Sequence, residues 1–229
     1  MKNKRFEELS VKYDLLALAM PHIYSFQKQV VAHLDQFRSK CESEACKVVE
    51  LGVGTGLTTE RIFDNPVGLS LVGVDNENQM IELSQVRMES HLGQIDYVES
   101  DLLDFVKRCE SGSVDAVVSV WTIHNMNRSY REELSKEIYR VLKVGGVFIN
   151  GDKIAHDDVE EHQLVMSMQV KRLELLAENG HPDLRDSWIE HYVQDEKIKY
   201  AENEIVTTLT GLGFTQVGIC DRCDMEAIT

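Results

Sequence analysis

What this sequence lacks narrows its function first. No apolar run approaches the ~18 residues that a membrane-spanning helix needs, and "LLALAM" at 15–20 is short and closed by Pro21. The opening "MKNKRFEELSVKYD" starts basic, but acids follow and no apolar core comes next, so no secretory leader is expected. Proline is scarce, at three residues in 229, and no repeat, low-complexity tract or linker divides the chain, which predicts one domain over 1–229. Positive charge is short as well: 24 Lys and Arg face 39 Asp and Glu, a net charge of −15. Duplex binders need a basic face to neutralise phosphate, and "KNKR" at 2–5 is the only tight basic cluster. Neither a nucleic-acid nor a membrane partner is expected, and a small-molecule acceptor is. The five cysteines are an odd number, which suits a reducing compartment and a cytoplasmic location. Cys220 and Cys223 have the spacing of half a zinc site, but no second pair accompanies them. Ordinary buried or half-buried thiols, and no metal, are the expectation.

What is present is an alternation of strand and helix patterns. Two helices are expected at 6–19 and 22–38, the second with Ile23, Phe26, Val30, Leu34 and Phe37 at helical spacing. Strands are expected at 47–52, 69–75, 95–100, 114–121 and 147–152, with helical segments between them. The fourth, "VDAVVSVW", is nearly all apolar, as a parallel strand buried on both faces should be. Gly93 reads as a helix C-cap and Gly145-Gly146 as a turn. Residues 153–210 carry helical patterns alone: one helix ending at Gly180, then another beginning at Asp186. The Met166/Met168 pair reads as core. "FTQVGIC" and "CDMEAIT" close the chain as a hairpin. The pattern predicts an α/β fold with an open, doubly wound, mostly parallel sheet. Its parts are a helical cap at 1–40, a binding core at 45–150, a helical cover at 151–212 and the hairpin at 213–229.

The stretch "VVELGVGTGLTTE" at 48–60 is a glycine-rich strand-to-helix turn. Its glycines, Gly52, Gly54 and Gly56, fall at every second position, and Leu57 stands where a pyrophosphate fingerprint needs its third glycine. No lysine follows Gly56, so a triphosphate loop does not fit either. What remains is a backbone that a ligand can approach closely. Asp75, 19 residues after Gly56, ends the second strand and is placed to accept from both hydroxyls of a ribose. Asp101 follows the third strand and suits an adenine amino group, with the backbone near Leu102 reading the ring edge. Glu50 is placed to order the loop or to meet an ammonium group.

In "VVELGVGTG", "LVGVD", "YVESDLLDF", "VDAVVSVWTIHNM" and "VLKVGGVFI", across roughly residues 45–150, the chain resembles the class I S-adenosylmethionine-dependent methyltransferases. The resemblance implies a seven-stranded Rossmann-like sheet with one antiparallel strand and S-adenosyl-L-methionine as cofactor. It implies that the Gly52–Gly56 loop holds the amino acid end, Asp75 the ribose, and Asp101 with Leu102 the adenine. Thr55, Asn76, Met80, Val120 and Trp121 complete the expected cofactor wall. "MPHIYSF" is similar to the carboxy-S-adenosylmethionine synthases, which would make Tyr24 a cap on the cofactor. Those enzymes read an extra carboxylate with an arginine, and this chain has Ile198 at that position, between Lys197 and Lys199. The resemblance therefore implies ordinary methyl transfer (EC 2.1.1.-), with cofactor modification or non-catalytic adenosyl binding as rival readings.

Acceptor chemistry belongs past the C-terminal ends of strands four and five. His124 follows strand four and is a candidate base for an O- or N-acceptor; the alternative is that it packs against the cofactor or hydrogen-bonds the loop. Asp152 follows strand five, with Lys153 and His156 close behind. His191 and Asp195 lie four apart on one helix face with Trp188 and Tyr192 nearby, and no spaced third residue completes a metal site. The catalytic expectation is His124, Asp152 and His191; a homodimer is compatible with this pattern.

Overall fold

The computed structural model describes residues 15–41 and 45–229. Most of the expected first helix, 6–14, lies outside the described residues; 15–19 are helical. Seven strands form one sheet in the order β3-β2-β1-β4-β5-β7-β6. They are β1 (Cys46–Leu51), β2 (Leu69–Asp75), β3 (Ile95–Glu99), β4 (Val114–Val120), β5 (Leu142–Lys153), β6 (Cys220–Cys223) and β7 (Glu226–Ile228). The first five are parallel, and β7 runs antiparallel to both of its neighbours. All seven residues of β4 are buried, because helices cover both of its faces.

Helix α1 (Ile23–Arg38) packs on one face through Phe26, Val30, Val31 and Leu34, against Val48, Ala116, Val118 and Ile149. Gly151 permits this approach: a Cβ there would lie 2.4 Å from the Val30 side chain. The other face holds Val49, Leu51 and Val117 against α4 (Leu102–Arg108), α5 (Arg128–Val141) and α9 (Glu202–Leu212). Short helices α2 (Leu57–Ile62) and α3 (Asn78–Arg87) follow β1 and β2. The sheet order reverses beside β1, so the crevice at the strand ends opens above β1 and β4, where such folds bind ligands.

Several local expectations are corrected. Gly93 sits inside a 3₁₀ turn, Glu89–Gln94, without the positive φ of a C-cap; the helix has already ended at Arg87. Gly145-Gly146 does turn the chain, with Gly145 at φ 81, but as a bulge within a longer β5. The 153–180 segment is two helices, α6 (Val159–Arg172) and α7 (Glu174–Glu178). The next helix, α8, spans Pro182–Asp195 and starts four residues before Asp186, because a proline at the first helical position loses no hydrogen bond. The hairpin is shorter than expected and shifted. Residues 214–219 are irregular: Phe214 turns inward onto Tyr139, ring centroids 5.0 Å apart, and Gln216 has a φ of 58. Met168 is exposed rather than core, as is Cys220, while Cys223 is half-buried.

Candidate active site

A cavity of about 1000 Å³ opens over the ends of β1, β2 and β4 and runs beneath α8. Its first wall is the glycine loop. Gly52, Gly54 and Gly56 have φ of 78, 51 and 81, a region in which side chains are strained. Their surroundings differ. A Cβ on Gly52 would strike the Thr122 side chain at 2.1 Å, and one on Gly56 the Ser84 hydroxyl at 2.6 Å. Gly54 has no such neighbour, so it alone leaves its backbone open to a ligand. The Asp75 carboxylate accepts from Gly54 N–H at 2.8 Å and Glu77 N–H at 3.0 Å, which fixes the loop to the end of β2. Arg87 Nε donates to Thr55 O at 2.8 Å and holds the far side.

Glu50 does not line the cavity. It is buried beneath the loop and accepts from the Thr59 hydroxyl at 2.8 Å, tying β1 to α2. Burial pushes its carboxyl up to about 8, opposed by the Thr59 hydrogen bond and reinforced by Asp75. Ordering the loop is thus the alternative that this geometry favours. Asp101 caps α4 through Asp104 N–H and accepts from the Tyr130 hydroxyl with both oxygens at 2.9 Å. Tyr130 in turn accepts from Leu103 N–H, so the pair orients the turn around Leu102.

The second wall lies past β4 and β5. Trp121 has φ 50 and packs on Phe26 with ring centroids 5.3 Å apart. A positive φ on a bulky residue costs energy and concentrates at functional sites. Asp152 is wholly buried and accepts three times: from His124 N–H at 3.0 Å, from Lys153 N–H at 3.0 Å and from His124 Nδ1 at 2.5 Å. With Nδ1 donating, His124 Nε2 is left as the acceptor. The His191 ring lies edge-on to His124, centroids 6.1 Å apart. Burial lowers its pKa, and the positive charge of Lys153 adds to this against Asp195, so the neutral imidazole is favoured. Lys153 Nζ, itself buried, donates to Asp195 at 2.6 Å and lies 3.3 Å from the centre of the Tyr192 ring.

Of the residues singled out in the sequence, Gly52, Gly54, Thr55, Asp75, Asn76, Met80, Asp101, Leu102, Val120, Trp121, His124 and His191 line this one cavity. Tyr24, Glu50, Gly56 and Asp152 stand outside its lining; Tyr24 is 37% exposed, while Met20, Ile23 and Gln27 reach the cavity from the same turn of chain. His156 is drawn away to Asp224 O. His124, His191 and Asp195 bring one donor atom each within 4.8 Å of one another, which supplies the third ligand the sequence spacing did not reveal. Lys153 already neutralises Asp195 there, so a metal cation is disfavoured. Sequence reasoning missed Gln27 and Glu226, both buried in the cavity wall. The signals were a glutamine on the apolar stripe of α1 and a single acid inside the strand-like "MEAI".

A family model described as a methyltransferase domain matches residues 48–146. A carboxy-S-adenosyl-L-methionine synthase of Campylobacter fetus subsp. fetus is 29% identical over 94% of this chain and 88% of its own length. Among solved structures, Haemonchus contortus phosphoethanolamine N-methyltransferase 2, in complex with phosphomonomethylethanolamine and S-adenosylhomocysteine, superposes with a TM-score of 0.59 at 20% identity. That match covers 84% of this chain and 38% of the worm protein. A SAM-dependent methyltransferase from Archaeoglobus fulgidus gives 0.55 at 18% identity, over 84% and 71% of the two chains.

Proposed function

We propose that this chain, which has the class I methyltransferase fold and a methyltransferase-domain match over residues 48–146, transfers a methyl group from S-adenosylmethionine to a small-molecule O–H or N–H acceptor with His124 as general base. The His124–Asp152 pair carries this reading, because it lies on the same cavity as Gly54 and Asp75. S-adenosylmethionine supplies an electrophilic methyl on its sulfonium. The open Gly54 backbone, Asp75 and the Asp101–Leu102 turn are the groups that fit its amino acid, ribose and adenine parts. Asp152 fixes the His124 ring and stabilises the imidazolium formed when Nε2 takes the acceptor proton. Trp121, Trp188 and the α6–α8 segment exclude water from the reacting atoms, the role of the helical cover at 151–212. No helix among the described residues is long and apolar enough to cross a membrane; a cytoplasmic enzyme fits this reading.

The experiment is turnover to S-adenosylhomocysteine across acceptor pools. His124→Ala and Asp152→Asn should each lower kcat by about 10²–10⁴-fold, the usual worth of a positioned base, while cofactor affinity by calorimetry stays within about twofold. Unchanged turnover in both variants refutes the assignment.

A second reading, cofactor carboxylation, is favoured by the curated relative at 29% identity. The site speaks against it. Ile198 sits in a 3₁₀ turn, Glu196–Ile198, with its carbonyl bonded to Arg131, and neither Lys197 nor Lys199 lines the cavity. Lys153 is the one lysine or arginine among the described cavity residues, and it is committed to Asp195. Mass spectrometry of the co-purified nucleoside separates the readings: a carboxylated nucleoside would establish the second.

A further inference from the structure

We propose that the acceptor is an amine, and that Glu226 with Gln27 forms the subsite that reads its N–H groups. This inference rests on the methyl-transfer reading and names the substrate class of that same site.

Glu226 opens β7 and pairs in register with Lys153, which sets it at the C-terminal end of β5, on the acceptor side of the cavity. Its side chain is 0% exposed. One oxygen, Oε2, accepts from Gln169 Nε2 at 2.8 Å and His22 Nε2 at 3.0 Å. The other, Oε1, is buried without a hydrogen-bond partner among the described residues. Gln27, 2% exposed on the same cavity, likewise keeps Oε1 buried and unpartnered. Folded proteins seldom leave buried acceptors unmatched, and a carboxylate oxygen least of all, because its desolvation is uncompensated. Two unmatched acceptors on one cavity describe the complement of a donor-rich group. An ammonium or amine has such donors and no competing negative charge.

The surrounding charge agrees. Among the described residues, the cavity is lined by five carboxylates (Asp75, Glu77, Asp101, Asp183, Glu226) and one lysine, already ion-paired. This field attracts cations and repels carboxylate acceptors. The faces of Trp121 and Trp188 border the same space and suit an ammonium that gains methyl groups. The base and the subsite divide the work: Glu226 and Gln27 hold the amine, and His124 Nε2 takes the proton that must leave nitrogen before it attacks the methyl carbon. One N–H bond breaks and its proton passes to His124 Nε2; the nitrogen lone pair then forms the N–CH₃ bond as the S–CH₃ bond breaks, and sulfur leaves with that bonding pair as a neutral thioether.

The test uses the full chain loaded with S-adenosylhomocysteine, with ethanolamine, benzylamine and tyramine as probes beside the matched alcohols and carboxylic acids lacking the amine. Calorimetry reads binding independently of turnover. Amines should bind at least about tenfold tighter than their matched alcohols. Glu226→Gln should remove most of that preference, and Gln27→Leu part of it, with nucleoside affinity unchanged. Preference for alcohols or carboxylates, absence of amine binding, or loss of nucleoside affinity in Glu226→Gln overturns the proposal. Failure of methyl transfer itself shows differently, as selective amine binding with no S-adenosylmethionine consumed in any acceptor class.

Discussion

Glu50 shows how a residue outside the cavity lining sets the terms of a site. Wholly buried, it has its carboxyl pushed from 4.5 up to about 8, by burial first and with help from Asp75. The folded chain therefore holds this proton more tightly than the unfolded chain. The associated stability is complete below the unfolded value of 4.5 and is lost as pH rises towards 8. Glu50→Gln keeps a partner for Thr59 and removes the titration. Its cofactor-free unfolding free energy should fall less than that of the parent between about pH 5 and pH 8. Urea titrations at three pH values measure this, and parallel profiles for the two proteins would contradict it. Gly54 is the converse residue, legible in the sequence as a glycine but separable from Gly52 and Gly56 only once Thr122 and Ser84 are seen against them.

At the scale of elements, the joint between β5 and α8 holds the second wall of the cavity together. Lys153 and Asp195 are each under 10% exposed and bond at 2.6 Å, with the Tyr192 ring beneath the ammonium. Removing one partner leaves a buried charge, which costs about 3–5 kcal/mol. Asp195→Ala should destabilise by about that much, while the double variant Lys153→Met/Asp195→Leu recovers most of it. Chemical denaturation of the three proteins decides, and additive losses would show that the two groups do not act as a pair. That His191 and Asp195 share a helix face is legible in their spacing, but Lys153 as a partner is not, because a contact across 42 positions leaves no local period. The hairpin is shorter than its strand-like sequence predicts for a related reason. Strand propensity at 214–219 yields to the packing of Phe214 on Tyr139 and Phe148.

For the whole molecule, the cavity joins three distant parts of the chain: the cap near Met20 and Gln27, the strand ends, and the cover near Leu184 and Trp188. A ligand touching all three should stabilise their mutual arrangement. Saturating S-adenosylhomocysteine is expected to slow proteolytic cleavage within 173–190 several-fold, read by timed digestion and mass mapping. An unchanged rate would mean that the cover does not respond to the nucleoside. What the sequence alone determined were the features with local causes: the strand–helix alternation, the glycine loop, the acids at the ends of β2 and β3, and through them the fold and the glycine-loop wall of the cavity. Each is written in consecutive residues by backbone geometry and hydrophobic period. The tertiary structure alone decided the wall past β4 and β5. His124 meets Asp152, and Glu226 meets Gln169 and His22, only because β5 and the antiparallel β7 bring their ends together, and no spacing in the chain encodes which polar atoms that closure leaves unmatched.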